Sequence, residues 1–247
     1  MFKSPLIGQE IMSKWFETLE IAMNLSIKLK IELKTEQAKE EDIGINFFRL
    51  KLLDEAAQEE FDERFESANQ LLQIVMDTCS TFLKLYKENV ENIVINKFGG
   101  TFYHISKNAT NEEETHLALC FYADLMENCS EVSMLQGYEE VANSCLNFWP
   151  KATDINCQHT CAFLMGVLAK RVPTQKFAPY LQMSVTRLLD IVNHTECWSE
   201  ERADFTDNSL GALGKICTNF FATKKSKKKF RSVPVDYGFC GLSWANE

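Results

Sequence analysis

Asn111-Glu112-Glu113-Glu114 followed by Leu117-Ala118-Leu119-Cys120-Phe121-Tyr122-Ala123-Asp124-Leu125-Met126 is the stretch that decides the fold. A cap residue precedes three acids, which the positive end of a helix dipole stabilises, and an apolar helical run follows. Its centre, Ala123-Asp124-Leu125-Met126, aligns with Met165-Gly166-Val167-Leu168 and with Leu213-Gly214-Lys215-Ile216. The offsets are 42 residues from 124 to 166 and 48 from 166 to 214. Asp77, in Val75-Met76-Asp77-Thr78-Cys79, lies 47 before Asp124. Periods of roughly 40–47 residues with two helices each characterise HEAT and armadillo arrays. Each pair leaves an apolar face that only its neighbour can bury, and small residues mid-helix let neighbours approach closely.

Working outward, Leu135 to Phe148 reads as a helix stopped by Pro150. Asp154 caps the next, through Ala162-Phe163-Leu164-Met165-Gly166-Val167-Leu168-Ala169, and Pro173 ends it. Pro179 opens another, through Leu181, Val185, Leu188, Leu189 and Val192. Residues 193–203 form a polar loop before Asp207-Asn208-Ser209-Leu210. On the N-terminal side, Leu71, Leu72, Val75, Cys79, Phe82, Leu83 and Tyr86 carry helical spacing. Residues 89–106 form an apolar segment interrupted at Gly99-Gly100. Residues 47–66 make an acidic loop or the acidic end of a helix. Residues 6–33 hold one or two helices after Pro5, and polar residues 34–46, with Gly44, predict a break. The tail from Lys224 reads as irregular. The expected organisation is N-terminal helices over 1–53, helix-pair repeats over 54–221 and a basic tail over 222–247.

Composition agrees with an all-α solenoid. The 247 residues contain only 10 Gly and 5 Pro, too few for an all-β chain that turns every roughly 8–12 residues. The net charge of −9 disfavours phosphate backbones and favours basic partners, so no direct nucleic-acid binding is expected. Residues 32–66 hold twelve acids against five bases, whereas Lys224 to Arg231 hold six bases and no acid. That basic run is a localisation signal, a nucleic-acid patch, a solvated loop, or a segment that docks on the chain's own acids and competes with ligand. Apolar runs fall short of the about 18 residues a membrane span needs, and no secretory leader is read at Met1. Nine scattered cysteines without a CxxC pair predict reduced, buried thiols in a soluble protein of cytosol or nucleus.

Catalytic patterns are missing from the sequence. His104, His116, His159 and His194 fall in no triad or Cys/His motif, and there is no P-loop, GxGxxG or HExxH. Cys157, His159 and Cys161 suggest a metal only superficially. Cys157 and Cys161 share a helix face, His159 points elsewhere, and no fourth ligand is at hand. The expectation is no enzyme, no metal and no cofactor.

The run Leu119 to Cys129 resembles an inner helix of the HEAT repeats of importin-β-type karyopherins, in the importin-5 (karyopherin-β3) branch. Ala162 to Ala169, and Thr206-Asp207-Asn208-Ser209-Leu210-Gly211-Ala212-Leu213-Gly214-Lys215-Ile216, are similar to the next inner helices of that branch, in order and at its spacing. The match covers residues 54–221, part of the C-terminal half of such receptors. Gln158 and Thr115 depart from it, standing where the family has arginines of an inter-repeat ladder. The resemblance implies nuclear import in transit between cytoplasm and nucleus. Basic localisation-signal cargo would lie on an acidic concave surface, with Ran-GTP and FG nucleoporins as further partners. The residues implicated are Asp124, Glu127, Asn128, Asp207 and Asn208. The alternative is a HEAT scaffold or adaptor for folded partners without transport activity.

Overall fold

The computed structural model describes residues 8–42, 51–109 and 111–221, with side chains for 8, 10–36, 59–109 and 111–220. Over these residues the fold is all-α, with no strand among them. The elements are α1 (Gln9–Asp42), α2 (Lys51–Tyr86), α3 (Glu88–Val94), a π-helical turn (Ile95–Gly99), α4 (Gly100–Asn108), α5 (Glu112–Asn128), α6 (Glu131–Phe148), a 3-10 turn (Trp149–Lys151), α7 (Ile155–Arg171), α8 (Thr174–Val192) and α9 (Ala203–Phe221).

One row of helices packs in the order α1, α2, α5, α7, α9. Helices α4, α6 and α8 lie against α5, α7 and α9 respectively. A single apolar core runs through the row, from Phe16 and Met23 on α1 to Phe205 and Phe220 on α9. Phe16 sits 5.2 Å from the Phe82 ring, and Phe102 stacks on Phe121 at 4.1 Å.

Many polar ties between helices span 39 to 50 residues, while Lys34–Glu114 and Lys97–Glu20, which tie α1 to α5 and to the π-helical turn, span 80 and 77. The Ser26 hydroxyl donates to the Ala68 carbonyl, 42 residues away. Glu91 accepts from the Ser130 backbone N–H and hydroxyl, 39 away, and from the Ser133 hydroxyl, 42 away. Glu112 accepts from the N–H groups of Thr153 and Asp154, 41 and 42 away. The Arg171 guanidinium donates to the carbonyls of Cys129 and Met126, 42 and 45 away, at the C-terminal end of α5. The Asn219 amide donates to the carbonyls of Ala169 and Val172, 50 and 47 away, at the end of α7. Arg171 and Asn219 therefore do the same work one helix apart, satisfying last-turn carbonyls that have no partner within their own helix. They stand 48 residues apart, the offset that separates Gly166 from Gly214.

The predicted caps are present. The Asn111 side chain accepts from the Glu114 N–H, and Asp154 from the N–H groups of Asn156 and Cys157. Several boundaries move. Helix α1 is continuous through Asp42, because Thr35 to Asp42 carry no Gly or Pro and are mostly good helix formers. The expected break at Gly44 lies outside the described residues. The acidic stretch is helical within α2, which also contains the boundary drawn after residue 53. Helix α6 starts at Glu131, capped by Ser130, four residues before Leu135. Helix α8 begins at Thr174, with Pro179 inside it. Proline is tolerated there because the bond it loses is to Gln175, in the first turn, and the helix continues on packing.

Gly99-Gly100 does not interrupt the chain; the π turn runs straight into α4. Val90, Val94, Phe98 and Phe102 are all fully buried at steps of four. A regular α-helix drifts by roughly 40° per such step, and the wider i→i+5 turn offsets that drift and keeps all four on one face.

Candidate functional site

Helix α5 carries three of the five residues picked from the sequence. Asp124 is half-buried, and its carboxylate lies 3.3 Å from Lys84 Nζ on α2. Glu127 is exposed one turn on. Asn128 is half-buried and donates its amide to the Asp124 carbonyl at 2.9 Å. Asp207 is exposed near the start of α9, and the Asn208 amide meets His159 Nε2 of α7. The five residues thus form two groups, on α5 and on α9, with α7 between them.

Glu127 and Asn128 border a cleft of about 630 Å³ at the C-terminal ends of α5 and α7. Its other acids are Glu88 and Glu131; its bases are Lys87, Lys170, Arg171 and Lys215. Around Glu127 the surface is therefore of mixed charge rather than uniformly acidic. Arg171 is engaged with the α5 carbonyls. Glu91, close by, is buried. Burial pushes its carboxyl up, but the Ser130 N–H, the Ser130 and Ser133 hydroxyls and Arg171 hold it below the usual carboxylate range.

Thr115 donates to the Asn111 carbonyl, and Gln158 to the Ala152 carbonyl, so each turns to its own segment. The crossings are made instead by His116 Nε2 with Thr160 Oγ1 at 2.9 Å, from α5 to α7, and by His159 with Asn208, from α7 to α9.

The structure also brings Cys120 Sγ to 3.3 Å from His116 Nε2, a pairing the sequence reading did not see. Burial pushes the Cys120 thiol up to about 11 and lowers His116. The pair is thiol and neutral imidazole, not the thiolate–imidazolium of a nucleophile. Cys79, Cys129 and Cys157 are likewise pushed up to about 12, mainly by burial. Cys217 is exposed, against the expectation of buried thiols, and Cys240 lies outside the described residues. No group of three or more His, Cys, Asp or Glu among the described residues is placed to hold a metal. No described helix is long and apolar enough to cross a membrane.

A second cleft, of about 450 Å³, lies between α2 and α5 and was missed in the sequence. Its polar lining is Glu66, Asn69, Gln70, Gln73, Glu113 and His116. Asn69 is only 3% exposed. The available signal was an asparagine in register with the buried Leu72, Met76, Cys79 and Leu83 of α2. No family model matches the chain, and no curated protein matches it.

Proposed function

We propose that the chain is a solenoid of HEAT-type helix pairs that binds a lysine-rich polypeptide segment across the row α5, α7, α9. In this reading it is a nuclear import receptor of the importin-β type, or part of one, working between cytoplasm and nucleus. The observation that carries it is the recurrence of inter-helix hydrogen bonds at separations of 39 to 50 residues. That recurrence supports a repeated pair as the unit, and such stacks serve as extended binding faces rather than catalysts. Asp124, Glu127 and Asp207 supply carboxylates along the row, and Asn128 and Asn208 supply amides. A ligand lysine displaces Lys84 from Asp124, an exchange of like partners that contributes little by itself. Exposed pairs are worth roughly 0–1 kcal/mol each, so affinity comes from several at once. Ran-GTP and FG nucleoporins belong to the same reading as further partners.

The test is fluorescence anisotropy of a labelled lysine-rich localisation peptide with the full chain at low and high salt. Salt-sensitive binding that is lost in an Asp124→Lys/Asp207→Lys variant supports the reading. No binding at high micromolar protein that is folded and helical sinks it.

A second reading, a scaffold for folded partners, is favoured by α1. Ile11, Trp15, Ile21, Leu25 and Ile31 are each more than half exposed on that helix. A partner held on this surface would bind with little salt dependence and would be lost on Trp15→Ser.

A further inference from the structure

We infer that the cleft between α2 and α5 is a subsite for one lysine or arginine side chain of a basic segment, with Asn69 in its lining. This rests on the reading of the chain as a binder of basic polypeptides and names the place where a cation is held.

Asn69 is the starting point. Its amide nitrogen and its amide oxygen are both buried without a hydrogen-bond partner. An unpaired buried amide opposes folding, so such a group is expected only where something in the working molecule completes it. The side chain is 97% buried and belongs to the lining of an open cleft.

The rest of the lining specifies the ligand. Glu66 and Glu113 are exposed carboxylates on the two facing helices, and no Lys or Arg lines the cleft. The nearby Lys30 and Lys34 of α1 are engaged by Glu114, at 3.6 and 3.1 Å. Glu113 also acts electrostatically on Lys30, but within the cleft lining itself the only formal charges are the carboxylates of Glu66 and Glu113. Gln70 and Gln73 bond only within their own helix, to Glu66 and to Asp77, so neither ties the two helices together across the cleft. Ile74 and Leu117 supply apolar wall for the stem of a long side chain, which suits lysine or arginine better than a bare metal ion. In the occupied cleft, Glu66 and Glu113 carry the countercharge. Asn69 Oδ1 accepts an N–H of the ligand cation, and Asn69 Nδ2 donates to a carbonyl of the ligand backbone.

The experiment titrates the ¹⁵N-labelled full chain with a lysine-rich peptide while following the Asn69 side-chain amide pair, assigned by its absence from an Asn69→Leu variant. The same peptide is followed by anisotropy. The expected result is that the Asn69 pair shifts with the midpoint seen in anisotropy. Affinity falls about tenfold in Asn69→Leu and in Glu66→Gln/Glu113→Gln, in line with the loss of one or two hydrogen bonds or ion pairs. A peptide of acidic residues leaves the pair unmoved. The two glutamine substitutions are on the surface and carry the test if Asn69→Leu does not fold. Peptide binding with an unmoved Asn69 pair and undiminished affinity in the glutamine variant overturns the subsite and leaves the wider reading standing. No binding and no shift overturn both.

Discussion

Gly166 on α7 faces Ala212 on α9 so closely that a Cβ on the glycine would lie 2.9 Å from the Ala212 Cβ and 3.0 Å from its Cα. The second contact is with backbone, which cannot step aside alone. Its repeat counterpart Gly214, 48 residues on, has nothing within 4 Å of the same construction. Two glycines that look alike in sequence therefore predict opposite outcomes. Gly166→Leu overpacks the α7–α9 contact and lowers stability by about 2–3 kcal/mol. Gly214→Ala removes only the flexibility of glycine in a helix and raises stability by about 0.5–1 kcal/mol. Urea unfolding of both variants measures the contrast, and equal effects would refute it.

Arg171 closes the end of α5 and faces the carboxylate of Glu91. Arg171→Ala leaves two last-turn carbonyls without their donor, and costs about 2 kcal/mol. Arg171→Lys recovers only part of this, because a single ammonium lacks the planar fork that spans both carbonyls. Denaturation midpoints of the two variants decide it.

Lys87, between α2 and α3, has φ of 46° and ψ of −123°, the one non-glycine residue with positive φ among those described. A side chain there costs about 1–3 kcal/mol of strain, more than the added chain entropy of glycine. Lys87→Gly is expected to raise stability by about 1 kcal/mol. A drop in thermal midpoint would count against strain at this junction.

His116 and His159 are both held below the ordinary histidine value, first by burial. Asp154 opposes the shift at His116 and His159 adds to it, while Asp204 opposes it at His159. The unfolded chain binds protons at these sites more readily than the folded one. Their contribution to stability is therefore present above the unfolded value near 6.5 and is lost as pH falls through the lower folded values. Stability measured by urea at pH 7 should exceed that at pH 5, and His116→Gln should flatten the difference.

Asn69→Leu replaces an unpaired buried amide with an apolar side chain of similar size. In the free protein it is expected to raise stability by about 1–2 kcal/mol. A loss of stability would show that Asn69 is satisfied in solution, by an ordered water for example, and would remove the ground for a ligand there.

Asn111 and Asp154 could be recognised as caps because a cap bonds an N–H two or three residues away, a relation the chain order already contains. The aligned small-residue centres do not share one environment: Gly166 is buried against Ala212, whereas Gly214 is exposed. Pro179 and Gly99-Gly100 look locally like boundaries, yet both lie within continuous helical segments. Their local preference to break a helix is outweighed by packing on both sides, which propensity alone does not report. Asp124, Glu127, Asn128, Asp207 and Asn208 are legible in the sequence only one helix at a time. Their separation into two groups, and the bases around Glu127, emerge only when α5, α7 and α9 lie side by side.

The sequence by itself determined an all-α chain, most of its helices, and the caps Asn111 and Asp154. These rest on hydrogen bonds and side-chain periodicities within a few residues. The tertiary structure decided which glycine is a close contact and which lies open, where Arg171 and Asn219 close their neighbours, and that Asn69 stands unpaired in the lining of the cleft between α2 and α5. Those outcomes depend on residues some 40 to 50 positions apart meeting across packed helices. Rotation of a helix by a fraction of a turn, set by the fit of its whole apolar face, determines which side chains meet.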